Sequence, residues 1–87
     1  MSNFRDSLLK SAADAFESGE ISRQDLRRIR LASAFPRLCS SIEKAVSETA
    51  HQEGMVADAV GAIDWAKLLD FIKQLIPLIL ELIKLFK

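Results

Sequence analysis

The sequence predicts an all-α protein: a small helical bundle of about three short helices, followed by a long, broadly apolar amphipathic helix at the C-terminus. Three observations predict it. Apolar residues recur at three- and four-residue spacing through most of the chain, the repeat of one helical face. The three glycines and Pro36 fall between these periodic stretches and not inside them. No apolar–polar alternation lasts long enough to make a strand, and no internal repeat is present.

The first helix is expected from about Phe4 to Ser18, with Phe4, Leu8, Leu9, Ala12, Ala13 and Phe16 on one face. Ser2 or Asn3 caps its start, and Asp6 suits the positive end of the helix dipole. Gly19 supplies the left-handed exit, with Ile21 placed to close the cap by an apolar contact. Ser22 begins the second helix, and Asp25 three residues on forms a capping-box pattern. Leu26, Ile29, Ala32 and Phe35 form its apolar stripe, and Pro36 disfavours helical geometry at Phe35, so a bend belongs there. A third helix follows from about Arg37 to Gln52, with Leu38, Ile42, Ala45, Val46 and Thr49 inward and Gly54 as its stop. Met55 to Ile63 reads equally as a short helix or a connector, and Asp64 caps a last helix from Trp65 to Phe86. The organisation is thus a bundle over residues 1–53, a connector over 54–64 and an association helix over 65–87.

The last helix carries most of the information. Written in seven columns, it has Trp65, Ile72, Ile79 and Phe86 in one, and Leu68, Leu75 and Leu82 in another. Leu69, Ile76 and Ile83 fill a third, and Phe71, Leu78 and Leu85 a fourth. Four adjacent columns cover about half the circumference, whereas a helix of a monomeric bundle uses about three positions of seven. Thirteen large apolar side chains represent roughly 20–40 kcal/mol of gross burial. The preceding residues are too few to cover that face, so it calls for a second surface. Copies of this chain or a larger assembly would supply one. A membrane interface would supply another, with Lys67, Lys73, Lys84 and Lys87 toward headgroups. A core helix in a monomeric four-helix domain is the remaining alternative. The association residues are therefore Trp65, Leu68, Leu69, Ile72, Leu75, Ile76, Ile79, Leu82, Ile83 and Phe86. A charge at Ile79, the centre of the arc, is expected to give a soluble monomer or an unfolded chain.

Composition narrows the function classes. At 87 residues the chain supports one domain with a thin core. A single Cys excludes an internal disulfide, and no signal peptide opens the sequence, so the expectation is a cytoplasmic protein or one held within an assembly, membrane-peripheral at most. No uncharged stretch in the C-terminal third exceeds Gln74–Leu80, well short of the roughly 18 residues a spanning helix needs. The net charge is zero, but successive segments alternate: −2 over 1–22, +4 over 23–37, −4 over 38–64 and +2 over 65–87. Antiparallel packing of neighbours would pair these signs.

Arg23, Arg27, Arg28 and Arg30 make a candidate anion-binding tract with Arg37 beyond, and Arg23, Arg27 and Arg30 share a helix face. Neutral overall charge and the absence of interleaved aromatics weigh against nucleic acid, and a solvated or salt-bridged face opposite Glu43, Glu48, Glu53 and Asp58 is the simpler reading. Glu48 and His51 make one Glu-x-x-His pair, half of what a carboxylate-bridged metal bundle uses. Cys39 and His51 lie twelve residues apart, about 18 Å along one helix, too far for a nucleophile and its base. With no phosphate loop, no zinc spacing and no paired inward carboxylates, the expectation is a non-enzymatic protein without cofactor or metal. Its general style is that of a small structural or accessory subunit, such as those in virus particles, though no motif carries that likeness.

Overall fold

The computed structural model describes residues 3–54 and 65–86, and every element among them is helical. Helix α1 spans Asn3–Glu17, α2 Arg23–Ser33 and α3 Pro36–Gln52. A 3-10 turn over Trp65–Leu68 leads into α4, Leu69–Gln74, and α5, Ile76–Leu85. The undecided stretch 55–63 and the Asp64 cap lie outside the described residues.

Helix α1 buries Phe4, Leu8, Ala12 and Ala15, the i, i+4, i+8, i+11 face that the apolar spacing marks, while Leu9, Ala13 and Phe16 sit half-buried on its flank. It ends in a Schellman cap: the Gly19 amide donates to the Phe16 carbonyl at 3.1 Å and the Glu20 amide to Ala15 at 2.8 Å. Gly19 has φ 81°, the left-handed region where a Cβ is penalised, which is why glycine ends this helix. Ile21 packs on the core just beyond.

Ser22 caps α2 by accepting from the Asp25 amide at 3.1 Å. The box forms only in that direction, since the Asp25 carboxylate reaches forward to Arg28 at 3.4 Å. Pro36 then holds Phe35 extended, at φ −100° and ψ 112°, and itself occupies the first turn of α3, where its missing N–H costs nothing. Phe35 thereby becomes the N-cap of α3 and its ring lies exposed. The expectation that Phe35 completes the buried stripe of the second helix is corrected: Leu26, Ile29, Ala32 and Ser33 are buried there instead. In α3 the buried residues are Cys39, Ile42, Val46 and Ala50, with Leu38, Ala45 and Thr49 half-buried beside them.

The largest correction concerns the C-terminal segment. A single helix over Trp65–Phe86 does not form; the segment breaks at Leu75 (φ −93°, ψ 3°). Pro77 is the physical reason. Within a continuous helix it could not donate to the Lys73 carbonyl, and its ring would press on that carbonyl. Breaking two residues earlier places Pro77 in the first turn of α5, where neither problem arises. The two halves then face different neighbours: the 3-10 turn and α4 pack on α1, while α5 packs on α2 and α3. A straight 22-residue helix, about 33 Å long, presents one face only. One core cluster consequently draws on both the 1–53 and the 65–87 segments.

Three side-chain contacts fix the return. Phe4 and Trp65 meet edge to face, ring centroids 4.8 Å apart. Lys73 pairs with Glu20 at 3.1 Å across the turn after α1. The Ser18 hydroxyl, ahead of Lys73, holds the exposed Glu20 carboxyl below its ordinary range; that contribution is present above the ordinary carboxylate pKa and lost as pH falls through the lowered one. The buried Ser11 hydroxyl donates to the Leu69 carbonyl at 3.1 Å, joining α1 to α4. Ser11→Ala should lower unfolding free energy by about 0.5–1.5 kcal/mol, the worth of a buried hydrogen bond, in urea denaturation followed by Trp65 fluorescence. Unchanged stability would mean that α4 does not sit on α1 in this register.

Candidate docking surface

The structure divides the expected association residues. Trp65, Ile72, Ile76 and Ile79 are buried in the chain's own core. Leu68, Leu75 and Ile83 are half-buried and packed against it, and Leu69 and Leu82 are half-buried as well. Phe86 alone of the ten is strongly exposed, at 53%. Most of the apolar arc is thus covered by the chain's own helices. The break at Leu75 lets the helices at hand wrap both halves, which a straight rod would not allow.

What remains uncovered is smaller and elsewhere. Five large apolar residues are exposed: Leu31 at 61%, Phe35 at 55%, Leu78 at 39%, Leu85 at 79% and Phe86 at 53%. Leu31 belongs to α2, Phe35 to the step between α2 and α3, Leu78 and Leu85 to α5 and Phe86 to its cap, and α2 and α5 pack on each other. Leu31, Phe35 and Phe86, with Leu38, Ile83 and Ala32, line a groove of about 450 Å³ rimmed by Arg28 and Lys84. Each rim cation has an acidic neighbour one helical turn away, Arg28–Asp25 at 3.4 Å and Lys84–Glu81 at 3.9 Å. Both pairs are exposed, so each contributes little to stability.

Sequence reasoning missed Leu31, Leu78 and Leu85 as surface residues. For Leu31 a signal was present: at about 100° per residue it points opposite the Leu26–Ile29–Ser33 stripe, into the polar side of α2. For Leu78 and Leu85 none was, since their column also contains Phe71, which is buried.

The arginine tract also divides. Arg23, Arg27 and Arg30 line a second groove, about 480 Å³, between α2 and α1, with Ala13, Phe16 and Leu26 as its floor and Glu17 beside them. Among the described residues no ion pair holds these three arginines. Of the two forms of the simpler reading, these three exposed arginines take the solvated one, and Arg28 pairs with Asp25 of its own helix. Like charges at i, i+4 and i, i+3 repel by a few tenths of a kcal/mol per pair, and Arg23 sits at the positive end of its helix dipole. Only Arg30, in the last turn of α2, gains from the dipole.

Elsewhere the chemistry is sparse. Glu48 and His51 are both exposed on the last turns of α3. Cys39 is buried, and that burial, more than the nearby Glu43 carboxylate, pushes its thiol up, away from thiolate. Among the described residues no three His, Cys, Asp or Glu side chains converge on a point that would hold a metal ion. No helix there is long and apolar enough to cross a membrane. No protein-family model, curated protein or solved structure matches the chain.

Proposed function

We propose that the protein is a non-enzymatic helical docking module, a structural or accessory subunit that works by seating its α2–α5 face on a partner surface. One observation carries this reading: Leu31, Phe35 and Phe86, three of the five exposed large apolar side chains among the described residues, line one groove between α2 and α5. Scattered exposed apolar residues are ordinary on protein surfaces, whereas a contiguous set marks an interaction site. Copies of this chain, a larger assembly and a membrane surface are the partners that such a face can meet, and no chemistry is required of it.

The test separates docking from folding. The triple variant Leu31→Ser, Phe35→Ser, Phe86→Ser should keep the wild-type melting temperature within a few degrees, because exposed positions contribute little to stability. Light scattering over a range of concentrations, without detergent and then with lipid vesicles, should show association by the wild type and none by the variant. Loss of cooperative melting in the variant would make these residues part of the core and end the docking reading. So would a wild type that stays a dispersed monomer under both conditions.

A further inference from the structure

The helix α2 shows what kind of surface the face is built for. Around its axis, Leu31 points directly away from the buried Leu26–Ile29–Ser33 stripe. Arg27 lies about 40° to one side of it and Arg28 about 60° to the other, while Phe35, past the end of the helix, lines the groove with Leu31. Leu31 thus occupies the middle of the solvent side, flanked by guanidinium groups. Arg23 and Arg30 continue the basic edge along the α1 groove. Helix α5, packed alongside, ends in the exposed Leu85 and Phe86, and Phe86 lines the groove with Leu31 and Phe35. Helix α5 adds no net charge on this side, since Glu81 and Lys84 pair with each other, so the positive charge here is that of Arg23, Arg27 and Arg30 on α2.

We propose that this α2–α5 face seats on an anionic phospholipid interface, with Leu31, Phe35, Leu85 and Phe86 entering the acyl boundary and Arg23, Arg27 and Arg30 at the depth of the phosphates. The proposal rests on the docking reading and names its partner. A helix laid in the groove of Leu31, Phe35 and Phe86 would leave the arginines on the α1 side unused. A phosphate polymer would use the arginines and leave the apolar tips in water. A bilayer interface takes both in one plane, as interfacial helices with basic and apolar residues do. The bundle lies on the surface and does not cross it, in keeping with the absence of a spanning helix among the described residues.

The full chain is to be sedimented with vesicles of phosphatidylcholine alone and of phosphatidylcholine mixed with phosphatidylglycerol. Binding is expected to the mixed vesicles and to fall steeply with added salt, because surface cations are screened within a Debye length. Arg27→Gln with Arg30→Gln, both exposed and outside any ion pair described above, should weaken partition about fivefold for each arginine removed. Phe35→Ser with Leu85→Ser should weaken it tenfold or more on the same vesicles. Circular dichroism melting confirms that each variant is folded. Equal binding to both vesicle types, or binding indifferent to the arginine changes, overturns the proposal. Absence of vesicle binding together with self-association that Phe35→Ser and Leu85→Ser abolish overturns it too, and leaves docking to a protein standing. Absence of both overturns the docking reading as well.

Discussion

Ile79→Asp is expected to abolish folding, giving a chain without cooperative thermal melting and with most of its helical circular dichroism lost. Ile79 is fully buried in α5, against the core shared with α2 and α3. No basic side chain belongs to the buried set around it, so an aspartate would be an unpaired carboxylate in an apolar site or a neutral acid without partners. Burying such a group costs several kcal/mol, on top of the packing that the isoleucine supplied. A domain this small has about 5 kcal/mol or somewhat more in total, so the deficit exceeds what is there to lose. From the sequence alone two outcomes stood side by side, a soluble monomer or an unfolded chain; the burial of Ile79 leaves only the second. A variant that melts like the wild type would show that α5 does not return to the bundle, and the apolar arc would again require an outside cover.

The second large effect belongs to Phe4→Ala. Phe4 is fully buried near the start of α1, and its ring meets Trp65 edge to face at 4.8 Å. The pair joins the N-terminal helix to the start of the returning segment, across sixty residues of chain. Truncating a buried phenylalanine costs about 3–5 kcal/mol through lost transfer energy and the cavity left behind, and the aromatic contact adds to it. Trp65 is the sole tryptophan, so it reports directly. The variant should show a red-shifted Trp65 emission and a urea midpoint lowered by much of the wild-type value. If stability fell while the emission stayed blue, Trp65 would be buried by something other than α1. If neither changed, the return of 65–74 onto α1 would be refuted.

Most of the helix boundaries were legible because local chemistry decides them. Gly19 with φ 81°, the Ser22 cap and the Phe35–Pro36 step act within a few residues; the first and third helices end within one residue of where the pattern puts them, and the second stops at Ser33, two residues before Phe35. The break at Leu75 was half legible. Pro77, on the polar side of the seven-column pattern, reads from the sequence as at most a bend, and whether a proline bends a helix or divides it depends on what waits on each side. Here α1 takes one half and α2 with α3 takes the other.

The candidate site was less legible than the fold. The seven-column pattern identifies which residues are apolar, and it counts Ile79 and Leu85 alike, yet one is fully buried and the other 79% exposed. Periodicity describes a helix by itself; burial is a property of the pair of surfaces that meet. The same limit applies to the arginines. Spacing alone groups Arg23, Arg27 and Arg30, and the structure agrees, but only packing puts Phe16 and Leu26 beneath them and sends Arg28 to Asp25 and the other groove.

By itself, then, the sequence determined the all-helical class, the caps and breaks of the first three helices, and the presence of more apolar side chains in the last third than one helix face can hide. Those features follow from dihedral preference and spacing, which act over a turn or two of chain. Which apolar residues end inside was decided only by the tertiary structure, because the fold brings the broken C-terminal segment back onto three helices at once. The same return set α5 beside α2 and brought Phe86 into one groove with Leu31 and Phe35. Contacts between residues fifty or sixty apart depend on how whole surfaces match, and no local pattern in the chain encodes that match.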